Sequence, residues 1–207
     1  MAPAVVRNSL DTYTDLVYGS PEGVRNNNCY AWAIGHFRTA GNNKLQPGDL
    51  SPSAASESPM DLRSCGSLQR RARADLGPDA KTLGPSGSCP EGWHAARAFL
   101  DPGKDYHWYR HHKDVLLRVP RKNGVAARPT SLANRLGLSR SAVTGSGSLF
   151  LARGADLYSH KRGLATGPLL EDSCGRLIKD PDRACRDYGD LKYTKSCGGM
   201  CVRNRVL

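Results

Sequence analysis

The sequence predicts an α+β fold, in which one N-terminal helix packs against a small, mainly antiparallel sheet that begins near residue 92. An Ala-rich amphipathic run after Asn28 predicts the helix. Short apolar and aromatic runs between Gly and Pro turns predict the strands from Trp93 onward. The 22 glycines and 13 prolines among 207 residues favour short elements joined by many turns.

The N-terminal helix is predicted to begin near Cys29. Asn28 is a preferred N-cap residue, and the apolar positions 30, 33, 34 and 37 fall on one helical face. A second, basic helix is predicted over residues 61–76, where leucine and alanine recur at helical spacing.

The strands are predicted from short runs in which apolar and polar residues alternate or in which all residues are apolar. Turn residues bound each run. A Pro-Gly turn at 101–104 separates the first two and predicts a hairpin. The predicted strands cover residues 93–100, 106–110, 115–119, 148–152 and 157–160.

Residues 1–207 are predicted to form a single domain, with a basic insertion at about 120–147 and a Cys-rich C-terminal tail at 172–207. Residues 104–163 hold twelve Lys and Arg against three acidic residues, within a net charge of +11 for the whole chain. A basic block of this density attracts polyanions such as nucleic acid, an anionic membrane surface or an acidic polymer.

No run approaches the roughly 18 apolar residues that a membrane-spanning helix needs. Residues 1–20 also lack the basic start and apolar middle of a secretory signal. We therefore expect a soluble chain with no transmembrane segment and no recognisable signal peptide, for which export by another route stays open.

The cysteine count is odd, so at least one thiol is unpaired within the chain. The seven are Cys29, Cys65, Cys89, Cys174, Cys185, Cys197 and Cys201. For the four in the tail three alternatives are open: disulfides in an oxidising compartment, a zinc site with Cys197 and Cys201 as half a knuckle, or buried thiols. Gly198-Gly199 predicts a tight turn between the last two cysteines. We predict no bound metal and no cofactor.

Cys29 is the candidate nucleophile. A thiol at a helix N-terminus experiences the positive end of the helix dipole and unpaired backbone N–H groups, which favour the thiolate and lower the thiol pKa. The same N–H groups can hold the oxyanion that develops on an attacked carbonyl, with Gln46 as a candidate second donor.

Two downstream histidines complete the predicted site. His107 opens a strand and is the candidate general base, and His160 closes another strand and is the candidate orienting residue. His36 competes for the role of base, and Asp105 and Asp172 are spare orienting carboxylates. The structural alternative is that His107 packs within an aromatic strand and that His160 is solvated among basic neighbours.

The order of these motifs resembles the papain-like cysteine peptidase and amidase superfamily, above all its bacterial cell-wall hydrolases. It is also similar to a group of bacterial proteins with an NCYAxA helix, a DYHWYR strand, an SHKxG strand and a Cys-rich end. The similarity to this group covers about a quarter of the chain, residues 28–33, 105–110, 159–163 and 172–202, and Pro47-Gly48-Asp49 adds to the papain-like resemblance. The resemblance implies a papain-like fold with a catalytic helix, Cys29 as nucleophile, His107 as base and His160 as orienting residue.

From these features we expect an enzyme, a thiol-dependent hydrolase or acyl transferase that acts on an amide or peptide bond. Cysteine (thiol) proteases and amidases belong to this class, and a glutamine-deamidating toxin or effector would use the same Cys–His pair. The expected substrate is a peptide, protein or amide-containing polymer, including acidic ones.

The alternative function is a non-enzymatic nucleic-acid-binding protein. Residues 131–143 resemble the core of a helix-turn-helix, in which Ala133 lets two helices approach, Gly137 makes the turn and Ser139 caps the second helix. The basic charge of residues 104–163 suits phosphate contact.

Overall fold

The computed structural model describes residues 6–8, 18–40, 43–55, 59–84, 86–118, 128–146 and 149–204. These residues form an α+β fold with two antiparallel sheets, which confirms the predicted fold class. The helices are α1 (Pro21–Asn26), α2 (Cys29–Ala33), α3 (Pro52–Ala55), α4 (Cys65–Leu76) and α5 (Pro129–Leu136). The strands are β1 (Val6–Asn8), β2 (Ala80–Thr82), β3 (Trp93–Asp101), β4 (Asp105–His112), β5 (Val115–Arg118), β6 (Val143–Ser146), β7 (Leu149–Ala152), β8 (Leu157–His160) and β9 (Lys195–Arg203).

The larger sheet has the strand order β2-β9-β3-β4-β8, and the smaller sheet has the order β1-β5-β7-β6. The helices α2 and α4 pack on the larger sheet, against β4 and β9 respectively. None of the helices that the structure describes has the length and apolar character needed to span a bilayer.

The β3–β4 hairpin forms as predicted and is the scaffold of the larger sheet. Its turn closes with Asp101 opposite Asp105, and Gly103 takes the positive φ of +81° that the turn requires. Alternation along β4 places Tyr106 and Trp108 in the core beneath α2, whereas His107 lies on the opposite face.

The helix that begins at Cys29, α2, is shorter than predicted. Asn28 caps it through a 3.0 Å hydrogen bond that its side-chain oxygen accepts from the Ala31 N–H. The helix ends at Ala33, because Gly35 takes a left-handed φ of +66° where the periodicity predicted helix to residue 37. The amide nitrogen of Asn28 donates to the Leu45 carbonyl oxygen at 2.8 Å, so the cap also holds the next loop.

The last strand, β9, is missing from the sequence prediction. Gly198-Gly199 was expected to form a tight turn, but both glycines lie within β9, which pairs with β2 and β3 near the centre of the sheet. A Cβ on Gly199 would lie 2.5 Å from the Ala96 carbonyl oxygen, so this close approach of two strands needs glycine.

The basic stretch contributes to the smaller sheet. Within it, α5 and β6 pack on a separate apolar cluster that includes Leu132, Leu136 and Phe150. The second helix of the predicted helix-turn-helix does not form, because Arg140–Ala142 makes a single 3₁₀ turn and the chain continues directly into β6. Val119 and Ser148, at the ends of two predicted strands, lie outside the described residues.

Six of the seven cysteines form disulfides, so the predicted zinc alternative for the tail is wrong. Two bonds join β9 to distant parts of the chain, one to the start of α4 and one to the loop before β3. The third closes a short loop within the tail. The pairs are Cys65–Cys197, Cys89–Cys201 and Cys174–Cys185.

We expect the Cys65–Cys197 bond to stabilise the fold more than the Cys174–Cys185 bond. The first spans 132 residues and the second 11, and a longer loop removes more entropy from the unfolded chain. Replacing each pair by serine should lower the free energy of unfolding. Because Cys89–Cys201 still links the same two parts of the chain, the first pair should cost only about 1 kcal/mol more than the second. Urea unfolding of the two double variants measures the difference, and equal losses would contradict the entropic explanation.

Candidate functional site

Cys29 and His107 line the same cavity, which has a volume of about 100 Å³. The cavity lies beside an edge of β4 that has no neighbouring strand among the described residues, because β8 pairs only with Tyr109 to His112. Loops and β4 supply the rest of the lining: Asn28, Lys44, Gln46, Asp105, Tyr106, Gly163 and Tyr193.

The loop that carries Lys44 and Gln46 is fixed by one carboxylate on α4. Asp75 accepts hydrogen bonds from the backbone N–H of Gly48 at 2.7 Å and of Leu50 at 2.8 Å. It also accepts from the Tyr30 hydroxyl on α2 at 2.7 Å. Asp75 on α4 therefore links α2 to the PGD segment at 47–49, which directly follows the cavity residue Gln46.

Cys29 is the one cysteine outside the three disulfides, and it is 5% exposed. The backbone N–H groups of Tyr30 and Trp108 donate hydrogen bonds to its sulfur. The fold thus separates this thiol chemically from the other six and places it on the cavity wall.

The predicted lowering of the Cys29 pKa is wrong. The pKa is raised to about 12. Burial is the largest cause and the negative charge of Asp105 adds to it, while the two N–H donors and Lys44 oppose them with smaller effects. A helix of five residues gives too small a dipole to offset the desolvation of a buried thiolate. Cys29 is therefore a neutral thiol at physiological pH.

His107 and His160, 53 positions apart in the sequence, meet in a buried hydrogen-bonded chain. Nε2 of His107 lies 2.7 Å from Nδ1 of His160, and Nε2 of His160 lies 3.0 Å from the Glu171 carbonyl oxygen. That carbonyl can only accept, so Nε2 of His160 carries the proton and its Nδ1 accepts from His107. In this series of hydrogen bonds the proton of neutral His107 lies on Nε2, so its lone pair lies on Nδ1.

Both rings are neutral at physiological pH. Burial lowers the pKa of His160 to about 4. Burial also lowers the pKa of His107 well below its usual value, with further contributions from His160 and the nearby charge of Arg162. Among the described residues, Nδ1 of His107 has no hydrogen-bond partner, and it is the atom left to receive a proton from within the cavity.

Aromatic residues of the tail cover this histidine pair. The ring of Tyr193 stacks on His107 at 4.9 Å between centroids, and its hydroxyl donates to Asp105 at 3.0 Å. Tyr188 lies within 5.9 Å of both imidazoles. Sequence reasoning missed both tyrosines, and the only signal for them was the Cys-rich tail, of which Cys197 and Cys201 form disulfides with the rest of the chain.

The SHKxG segment forms the opposite wall. Lys161 is fully buried, and its ammonium group donates to the Thr166 carbonyl oxygen, which holds the loop after β8 in place. Burial lowers the pKa of Lys161 to about 8, whereas the electrostatic interaction with Cys29 raises it. The next residue, Arg162, is exposed and stacks over the Tyr188 ring.

The other sequence candidates have different places. Asp105 lies in the cavity. Asp172 instead accepts backbone N–H bonds around the Cys174–Cys185 loop, which gives it a structural role. His36 follows α2 and lines neither cavity that contains His107.

A separate cavity of about 580 Å³ lies at the far end of β4 and contains three histidines. Each ring already has one hydrogen-bond partner: His94 pairs with Asn204, His111 with Asp156 and His112 with Ser159. Its one cysteine, Cys89, is in a disulfide. This cavity therefore offers no free thiol.

Arg135 and Arg140, the two arginines within residues 131–143, are engaged within the fold. Arg135 forms a salt bridge with Glu171, and Arg140 donates to the Thr130 hydroxyl at 2.7 Å. Binding of nucleic acid through residues 131–143 remains a prediction, and the geometry adds nothing in its favour.

No protein-family model matches this chain, and comparisons with curated proteins and with solved structures also give no match. The fold class is therefore assigned from the structure itself, and the papain-like resemblance remains a prediction.

We expect Asp105→Asn to lower the Cys29 pKa, because it removes a negative charge that disfavours the thiolate. More thiolate at a fixed pH should raise the rate of iodoacetamide alkylation about three- to tenfold. Mass spectrometry of the Cys29 peptide across a pH series measures the shift.

Asp114→Asn is the matched control, since Asp114 lies at the far end of β4 and lines neither cavity at Cys29. An unchanged or higher Cys29 pKa in Asp105→Asn would show that Asp105 does not act on the thiol.

Proposed function

We propose that this protein is a thiol-dependent acyl-transfer enzyme that hydrolyses or transfers amide or peptide bonds. One observation carries the proposal: the chain's one free thiol shares a cavity with a histidine whose Nδ1 lone pair is set by a second histidine. A nucleophile, a base and a residue that orients the base are the parts that such catalysis requires.

The first step is attack by Cys29 on the substrate carbonyl carbon. Because the thiol and the imidazole are both neutral, the thiol proton moves to Nδ1 of His107 as the sulfur–carbon bond forms. The imidazolium donates from Nε2 to His160, so the second histidine stabilises the charge that develops on the first.

The second step releases the amine. His107 returns its proton to the leaving nitrogen, the carbon–nitrogen bond breaks and an acyl-thioester remains on Cys29. Water, or an acceptor amine in a transferase, then attacks the thioester while His107 takes its proton. The carbon–sulfur bond breaks and the thiol of Cys29 is restored.

Gln46 is the side-chain donor that we assign to the developing oxyanion. It lies in the cavity, and its amide oxygen accepts from the Tyr106 hydroxyl at 2.9 Å. Its amide nitrogen makes only a long 3.3 Å bond to the Lys44 carbonyl, so that N–H group is available to a substrate.

The papain-like resemblance supports this proposal. The NCYAxA segment forms a helix packed on the larger sheet, and the DYHWYR segment forms a neighbouring strand. The three disulfides further point to an oxidising compartment, where such bonds persist.

The proposal is tested with p-nitrophenyl acetate, an activated ester that acylates nucleophilic thiols. We expect a burst of p-nitrophenolate and one acetyl group on Cys29, both absent from Cys29→Ala. His107→Gln should slow acetylation about a hundredfold or more, because the thiol then lacks its base.

His111→Gln is the matched control, since His111 lies on the same strand but pairs with Asp156 outside the cavity. Acetylation at another residue, or a rate unaffected by His107→Gln, would refute the proposed pair.

We expect His160 to act as a positioning residue. His160→Leu removes the acceptor for Nε2 of His107 and frees the ring to adopt the other tautomer, which should lower the acetylation rate roughly tenfold to a hundredfold. His160→Asn keeps a side-chain acceptor and should recover part of the rate. A pH profile of acetylation distinguishes this role from packing, because packing alone leaves the profile unchanged while the rate falls.

A further inference from the structure

The cavity at Cys29 is continuous with a larger cleft of about 630 Å³. The two share Lys44, Asp105, His107, Gly163 and Tyr193 in their walls. The smaller cavity has room only for the reacting group, so the larger cleft is where the rest of a substrate would lie.

The charges in this cleft are unbalanced. Lys44 and Arg162 are both exposed, and neither forms an ion pair with a described residue. The carboxylate of Asp105 already accepts from the Tyr193 hydroxyl at 3.0 Å and from the Tyr106 N–H at 2.8 Å. Asp105 keeps its negative charge, but its oxygens are held by these two donors, so the two cations outnumber the one acid in the cleft wall.

The two cations belong to loops that face each other. Nζ of Lys44 lies 3.9 Å from the position that a Cβ on Gly163 would occupy, and Gly163 directly follows Arg162. Gly163 has a φ of +53°, so other residues are disfavoured there, and the gap stays open. Both cations line the cleft, so an anion bound there would lie in a wall that carries two positive side chains.

Apart from Thr166, the remaining walls of the cleft are mainly apolar or aromatic. Tyr188 and Tyr193 provide rings, and Arg162 stacks over the first of these at 4.9 Å, which limits the positions of its guanidinium group. Leu164 and Leu191 complete the apolar surface. Apolar and aromatic walls make few directional contacts, so the two cations would orient a bound molecule.

From the proposed acyl-transfer function and this cleft, we infer that the substrate carries a carboxylate close to the carbonyl that Cys29 attacks, and that Lys44 and Arg162 bind it. The substrate class is therefore an acidic peptide or a carboxylate-bearing amide. Both cations are exposed, so they attract the carboxylate through solvent that salt can screen.

Two alkylating agents of nearly equal size test this inference, iodoacetate and iodoacetamide. Each forms a sulfur–carbon bond with Cys29 and releases iodide, and only the first carries a carboxylate. The measured quantity is the ratio of their rates at Cys29, divided by the same ratio in the urea-unfolded protein. Both agents react with the same thiolate, so the ratio is independent of the Cys29 pKa.

We expect the native ratio to exceed the unfolded ratio about tenfold, and to fall as salt screens the cations. Lys44→Gln and Arg162→Gln should each lower it about threefold or more. Lys113→Gln and Arg153→Gln, exposed cations outside both cavities at Cys29, are the matched controls and should leave it unchanged.

A native ratio no higher than the unfolded one, or one unaffected by replacing both Lys44 and Arg162, would overturn the inference. Acetylation of Cys29 by p-nitrophenyl acetate would still proceed, so the proposed function would stand. Loss of His107-dependent acetylation would instead refute the proposed function, and the inference with it.

Discussion

The pairing of β9 with both β2 and β3 is the constraint on which the larger sheet depends. The last strand in the sequence lies near the centre of this sheet, and Gly199 permits its close approach to β3. Two disulfides attach β9 to α4 and to the loop before β3. The strand that carries His107, the helix that carries Cys29 and the tail tyrosines are all positioned through contacts with this sheet.

The β3–β4 hairpin and the helix start could be predicted from local signals. The turn at 101–104 and the Asn28 cap each depend on a few adjacent residues. The pairing of β9 could not be predicted from local signals, because two adjacent glycines are found both in turns and in tightly packed strands. Likewise, the second helix at 139–143 failed because residues after Gly137 gain more from pairing in the smaller sheet than from one further helical turn.

The candidate site shows a similar division. Cys29, His107 and His160 could be proposed from sequence, since their motifs are local. The raised pKa of Cys29 could not be predicted, because the burial of the thiol and its distance from Asp105 depend on long-range packing. The same holds for Tyr193, which reaches His107 only through the path of the tail. Electrostatics also determine the chemistry proposed, since a neutral thiol beside a neutral imidazole requires proton transfer during attack.

The burial of Cys29 has a consequence for how this chain acquires its disulfides. Six cysteines must pair correctly in the presence of a seventh, and thiol–disulfide exchange proceeds through an accessible thiolate. A thiol with a raised pKa and 5% exposure is a poor participant in that exchange once the fold has formed. The same environment slows its oxidation to the sulfenic and sulfinic acids. The burial that raises the Cys29 pKa thus also protects this thiol from reshuffling and oxidation.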